Sequence, residues 1–224
     1  MTVRAERSLI SVVVKATDEP CELEACLASV RSLAEEIVVF VSDPSRAAAD
    51  TATQYGANVY LHLWAYYRLD ELDYLGFLHC QGEYILRFDS EERMTPALSS
   101  KLRQIAQSGR YAGARFARRN KYFDGWLDSG GWMESDQLRF FRSDAWDRTW
   151  NCAAHSQVPV DGPILDLKPT DKYHSLHLNY ERVEDYVPRS LIKYAQEDAL
   201  ARYLSGDRYS TAKLTWRFFL DARS

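Results

Sequence analysis

The run SLISVVVK, Ser8 to Lys15, is almost continuously β-branched or apolar, and no other stretch constrains the fold as tightly. A half-exposed strand alternates apolar and polar residues. A strand covered on both faces does not, so this run belongs inside a parallel sheet with helices above and below it. The text that follows is helical: in DEPCELEACLASVRSL the residues Leu23, Cys26, Leu27, Val30 and Leu33 recur at helical spacing, and Pro20 suits a first turn. EEIVVFVS (Glu35 to Ser42) reads as a second buried strand, SRAAADTATQYG as a second helix halted by Gly56, and ANVYLHL as a third strand. This β-α alternation predicts an α/β chain built on a doubly wound, mostly parallel sheet.

Beyond it, Trp64 to Gly82 is less regular, EYILRF is a further strand, and a helix runs from Thr95 to about Ser108 with Leu98, Leu102 and Ile105 on one face. From Arg110 the pattern changes to aromatics, glycine pairs and short strands such as YAGARFA and QLRFFR. The end of the chain, VEDYVPRSLIKYAQEDALARYLSG and STAKLTWRFFLDA, reads as two helices. We therefore expect a main domain over 1-180, its halves meeting at about residue 110, and a helical extension over 181-224.

A net charge of -4 and a pI near 5.8 argue against a nucleic-acid partner, although the basic cluster RFARRN, Arg115 to Asn120, could neutralise a small phosphate-bearing ligand. Cys21, Cys26, Cys80 and Cys152 lack CxxC spacing, which suits reduced thiols and a cytoplasmic chain. No apolar run reaches the eighteen or so residues of a membrane span, so the expectation is a soluble chain, or at most one in peripheral contact with the inner face of a membrane. LTWRFFLDA mixes Leu214, Trp216, Phe218, Phe219 and Leu220 with Lys213, Arg217 and Arg223. Packing on the chain's own core is the expectation for it, with a membrane interface or a second subunit as alternatives.

Where YILRF ends, the acidic residues Asp89, Glu91 and Glu92 crowd together just ahead of the Thr95-Pro96 helix start. Like charges this close need water or a cation to screen them. Two readings compete. Asp89 and Glu91, two apart on an extended end, could supply oxygen ligands to a divalent cation carrying a diphosphate. Alternatively, Glu91 and Glu92 dress a helix N-terminus and favour its dipole with no metal at all. A second constellation is GGWMESDQLRFFR, Gly130 to Arg142, readable as a Gly-Gly turn before an edge strand or as a site.

The order SLISVVVKATDEP…CLASV, EIVVFVS, YGANVY, GEYILRFDSEERMTP, RRNKYFDGWLDSGGWMESDQLRFFR and YHSLHLNYERVEDY resembles glycosyltransferase family 2, the small lipopolysaccharide-core glucosyltransferase type, from Leu9 to about Leu200. The resemblance implies a GT-A fold and inverting transfer of a sugar from a nucleotide-diphospho donor, with Mn²⁺ or Mg²⁺, to a hydroxyl acceptor on a saccharide, lipid-linked glycan or natural product. DSEE stands where the family has Asp-Ala-Asp-Glu, so Asp89 and Glu91 inherit the metal and diphosphate role and His177 matches a histidine near the metal. It further implies Asp136 as the base that takes the acceptor hydroxyl's proton, Trp132 as an acceptor platform and Arg139 near phosphate. Thr17, Asp18 and Glu19 after the first strand fall on the donor side.

Departures from the family text fall mainly on the donor side as well. Val41 occupies the position of a nucleoside-holding Asp, for which Asp43 could substitute with a shift of the loop. Asp73-Tyr74 replaces an Arg-Asn pair, and His155-Ser156 a His-Glu pair. They leave open a second expectation, a non-catalytic GT-A-like module that binds a partner or carbohydrate.

Overall fold

The computed structural model describes residues 9–16, 20–41, 46–62, 69–128, 138–150, 157–168 and 172–178, with Ala195, Ala199, Tyr203, Gly206, Arg208 and Ser210. In chain order its elements are β1 (Ile10–Ala16), α1 (Pro20–Val30), β2 (Glu36–Val41), α2 (Ala47–Gln54), β3 (Asn58–Leu61), α3 (Leu69–His79), β4 (Tyr84–Asp89) and β5 (Glu92–Arg93). After these come α4 (Pro96–Ser108), β6 (Gly113–Arg115), β7 (Ala117–Tyr122), β8 (Gly125–Leu127), β9 (Leu138–Arg142), β10 (Ile164–Asp166) and β11 (His174–Leu178). All lie in one compact unit, residues 1–185; residues 186–224 form a second. Of the two helices expected at the C-terminus, only isolated positions such as Ala195, Ala199 and Tyr203, all helical, fall within the described residues.

Every residue of β1 is buried, as its unbroken apolar text requires. It sits between β2 and β4, parallel to both, in a seven-stranded sheet of order β10-β6-β9-β4-β1-β2-β3. Among these strands β9 alone runs against the rest. The doubly wound, mostly parallel sheet expected from the sequence is therefore present. Alternation along β1 feeds two cores: Val12 and Val14 pack with Leu23, Leu27 and Leu102, whereas Val13 packs with Leu72, Phe77 and Phe141. Helices α1, α2 and α4 thus cover one face and α3 the other.

Helix α4 begins and ends where its sequence says it should. Thr95 is the N-cap, its Oγ1 accepting from Leu98 N at 3.3 Å, Pro96 opens the first turn, and Gly109 closes the helix at φ 62°. Leu98, Leu102 and Ile105 are buried, as their spacing predicts.

The segment read as irregular, Trp64 to Gly82, contains α3. Two residues hid it. Asp73, which looks like a solvent-facing break in the apolar face, is fully buried, and Gly76 sits mid-helix, where glycine ordinarily weakens a helix. Glycine is needed there because a Cβ would lie 2.3 Å from Val13 Cγ1, so α3 rides unusually close to β1.

A second sheet, of order β5-β11-β7-β8, adjoins the carboxyl end of β4 through the short link from Asp89 to Glu92. It carries the remaining side chains of the candidate site.

Candidate active site

Lys15 and Asp89 are register partners at the carboxyl ends of β1 and β4, the edge of an open α/β sheet where ligands bind. A lysine at the end of a buried apolar strand must find anions, and Lys15 Nζ lies 3.0 Å from Asp73 Oδ2 and 3.1 Å from Asp89 Oδ1. Arg87, one strand over, reaches the same Asp73 oxygen at 2.9 Å. Asp73 Oδ1 is buried without a hydrogen-bond partner. Burial accordingly pushes the Asp73 carboxyl up, against the pull of Arg87 and Lys15.

Arg139, on β9 and 1 % exposed, faces the acidic cluster from the other side. Its Nη1 donates to Glu92 Oε2 at 2.7 Å, and its Nη2 stands 3.4 Å from Asp89 Oδ2. Glu92 is fully buried and also accepts from Asp89 N at 3.0 Å and from Ser175 Oγ at 3.4 Å. Glu92 therefore closes the loop after β4 and pins it to β9 and β11, rather than favouring the dipole of α4, whose first turn contains no acid. Arg118, on β7, completes the group at 3.7 Å from Asp89 Oδ2 and 3.9 Å from Glu92 Oε1. Desolvation raises the Asp89 carboxyl, but Lys15, Arg139, Arg87 and Arg118 together outweigh it and hold the group well below the usual carboxylate range.

Glu91 is placed differently. Its side chain is 42 % exposed, and its Oε1 lies 3.6 Å from His177 Nε2 on β11. Asn120 orients that imidazole: the amide Nδ2 donates to the Arg118 carbonyl at 3.3 Å, leaving Oδ1 to accept from His177 Nδ1 at 2.7 Å. His177 thus turns Nε2 towards a carboxylate while its other nitrogen is held from behind, the arrangement of many metal-ligating histidines. Desolvation raises Glu91 and the contact with His177 lowers it, with the net effect downward.

Among the described residues no group of three or more His, Cys, Asp and Glu side chains is placed to hold a metal ion. Glu91 and His177 do fit a divalent cation as a two-ligand set, one oxygen and one nitrogen, with the remaining positions left to water or an anionic ligand. Asp89 fits less well. Lys15 stands at one of its carboxylate oxygens and Arg139 and Arg118 at the other, so protein cations already screen it.

Of the other residues singled out in the sequence, Thr17, Asp18, Glu19, Asp43, Trp132 and Asp136 lie outside the described residues, as do His155, Ser156 and the LTWRFFLDA segment. Val41 is fully buried at the end of β2, and the Tyr74 hydroxyl donates to the Arg148 carbonyl at 3.1 Å, so both have structural surroundings. Sequence reasoning did not single out Lys15, Arg87, Asn120 or the structural role of Glu92. A charge inside an apolar strand run, as in VVVKA and YILRF, was the signal that could have found the first two.

No protein-family profile matches the sequence. Solved structures share the fold. The chain is similar to S. aureus TarS 1-349, with a TM-score of 0.57, 12% identity and coverage of 76% of this chain and 60% of that one. It is also similar to mannosyl-3-phosphoglycerate synthase from Rubrobacter xylanophilus, with a TM-score of 0.54, 13% identity and coverage of 93% and 79%. The same TarS segment in complex with UDP-GlcNAc matches with a TM-score of 0.52 and 11% identity over 78% of this chain and 59% of that one. The chain thus spans about 60% of the TarS segment it resembles.

Proposed function

We propose that this chain is an inverting glycosyltransferase that moves a sugar from a nucleotide-diphospho donor to a hydroxyl acceptor. The observation that carries the reading is the pairing of Glu91 with an oriented His177 beside Asp89, at the carboxyl edge of a doubly wound sheet. The fold shared with TarS, which has been solved with UDP and with UDP-GlcNAc, and with a mannosyl-3-phosphoglycerate synthase supports it. The lipopolysaccharide-core type, and a lipid-linked or saccharide acceptor, are the finer parts of the proposal.

In this reading Glu91 and His177 hold Mn²⁺ or Mg²⁺, which when bound stabilises the charge of the departing diphosphate. Asn120 keeps the His177 ring aimed. Lys15 and Arg139 hold the Asp89 carboxylate still, and Glu92 fixes the loop that carries Glu91. Asp136 takes the proton from the acceptor hydroxyl as its oxygen attacks the anomeric carbon, and Trp132 gives the acceptor an aromatic platform. Thr17, Asp18, Glu19 and Asp43 line the nucleoside side. Residues 1-110 form the donor half, 110-180 the acceptor half and 181-224 a helical extension.

Incubation with a panel of nucleotide-diphospho sugars and Mn²⁺ or Mg²⁺ is expected to give donor hydrolysis or transfer. Absence of turnover together with absence of nucleoside diphosphate binding would sink the proposal. Asp136→Asn is expected to abolish transfer while leaving donor affinity nearly unchanged, because the base acts on the acceptor. An equal loss of donor binding would reassign that residue.

The engagement of Asp89 by Lys15 and Arg139 favours one second reading, a GT-A-like module that binds without transferring. Melting temperature with uridine and guanosine diphosphates, with and without Mn²⁺, separates the two. A Mn²⁺-dependent rise supports the enzyme, since a ligand that binds only the native state stabilises it.

A further inference from the structure

The cluster RFARRN contributes three arginines, and the fold sends them to different ends. Arg115 pairs with Asp166 at 3.2 Å, and Arg119 makes a bidentate pair with Asp128, 2.7 Å at each oxygen. Arg118 points elsewhere. On β7 it is the register partner of Ser175, two positions before Asn120, which is the register partner of His177. Strand alternation therefore puts Arg118 on the same face of the small sheet as Asn120 and His177, beside the acidic cluster.

The guanidinium of Arg118 is under-satisfied there. Its nearest carboxylate oxygens, at 3.7 and 3.9 Å, are beyond hydrogen-bond reach, and its Nε is buried with no hydrogen-bond partner. Only 22 % of the side chain is exposed. Across the cluster, Arg139 and Lys15 approach their carboxylates at 2.7 and 3.0 Å. A guanidinium present merely to neutralise Asp89 and Glu92 would close on them as Arg139 does. Desolvation and the like charge of Arg139 instead press on Arg118, lowering its affinity for its own proton. Both pressures are relieved by an incoming anion that offers two oxygens to the planar fork.

We propose that Arg118 receives the diphosphate of the nucleotide-sugar donor, supplying part of the positive charge that the Asp73-Tyr74 departure and the engagement of Asp89 take away. This rests on the donor-site reading above. It adds that a part of diphosphate affinity is independent of metal, because the guanidinium's charge is permanent.

The test is calorimetric binding of uridine and guanosine diphosphates and of inorganic pyrophosphate to the full chain, in chelator and in Mn²⁺. The variants are Arg118→Gln and Arg118→Lys, with Arg115→Gln as the control. In chelator, Arg118→Gln is expected to weaken diphosphate binding by roughly ten- to a hundredfold, the range for losing charged hydrogen bonds. Arg118→Lys should fall between it and wild type, and Arg115→Gln should match wild type. The melting temperature of Arg118→Gln should fall far less than that of Arg139→Met, since it loses attraction to Asp89 and Glu92 at 3.7 and 3.9 Å but no hydrogen bond; a purely structural arginine would show a large fall in melting temperature with no change in diphosphate affinity. Equal affinities in wild type and both Arg118 variants would overturn the proposal while leaving the transferase reading intact. Pyrophosphate binding that depends on Arg118, without nucleoside diphosphate binding, would keep the anion site and remove the nucleotide donor. Binding of neither ligand by wild type overturns both. Should Arg118→Gln fail to fold, the affinity of Arg118→Lys decides.

Discussion

At the amino-terminal end of the central sheet, Glu36 accepts from Ser11 Oγ and from Gln81 N, the latter at 2.8 Å, while Glu35 accepts from Ile10 N at 2.9 Å and pairs with Arg103. Ser11 Oγ in turn accepts from Gly82 N at 2.8 Å. Here acids meet backbone donors and a hydroxyl at hydrogen-bond distance. At the carboxyl end, Lys15, Arg87, Arg118 and Arg139 face Asp73, Asp89 and Glu92, and Asp73 Oδ1 and Arg118 Nε remain without hydrogen bonds. Both ends bury polar atoms, yet only one satisfies them. The comparison separates a joint whose polar atoms meet one another from a cluster that leaves hydrogen-bonding capacity unused, which is the feature the proposed donor site draws on.

The largest effect expected from breaking this contrast is at the carboxyl end. Arg139→Met removes the closest partner of the fully buried Glu92 and should lower stability by about 3–5 kcal/mol in urea unfolding, because an uncompensated buried charge remains. A variant as stable as wild type would mean that Asp89 N, Ser175 and the nearby Arg118 suffice to hold Glu92.

Gly82→Ala probes the amino end. A Cβ at this position would lie 2.6 Å from Ser11 Oγ, 2.7 Å from Ser11 N and 2.9 Å from the Leu9 carbonyl oxygen. Two of these are backbone atoms that cannot swing away, so a loss of about 1–3 kcal/mol is expected. Diphosphate binding should be unchanged; a tenfold weakening would show that the two ends are coupled through β1 and β4.

The effect that is smallest at neutral pH develops only in alkali and again belongs to the amino end. Burial, helped by Glu36 and opposed by Ser11, pushes the Cys80 thiol from 9.0 up to about 12. An acid whose folded value is raised favours folding while it stays protonated. The contribution from Cys80 is therefore fully present below pH 9.0 and is lost as pH rises from there towards about 12. Cys80→Ala should flatten this part of the alkaline fall in the urea midpoint. An identical fall in the variant would assign it to other groups.

Much of this molecule is legible in its sequence. The both-face burial of β1, the helical spacing in α1, and the cap, first turn and stop of α4 follow from patterns spanning a few neighbouring residues. Periodicity reports only which side chains must leave water, and burial asks for no particular partner. The acidic cluster at a strand's carboxyl end is legible in the same way; His177 entered only through the family resemblance, and its 3.6 Å approach to Glu91 is a finding of the structure.

What only the tertiary structure decided is who meets whom. Lys15 and Asp73 are 58 positions apart in the chain, Arg139 and Glu92 47 apart, and His177 and Asn120 57 apart. Until α3 packs on β1, Asp73 is one more acid in an ambiguous stretch, and periodicity alone does not show the helix. Within the acidic cluster itself, spacing could not distinguish Glu92, buried against Arg139, from Glu91, half-open beside His177. Nor could it separate Arg118 from its neighbours Arg115 and Arg119. Charge is written in the sequence, but whether a charge is satisfied depends on distances set by packing across the sheet.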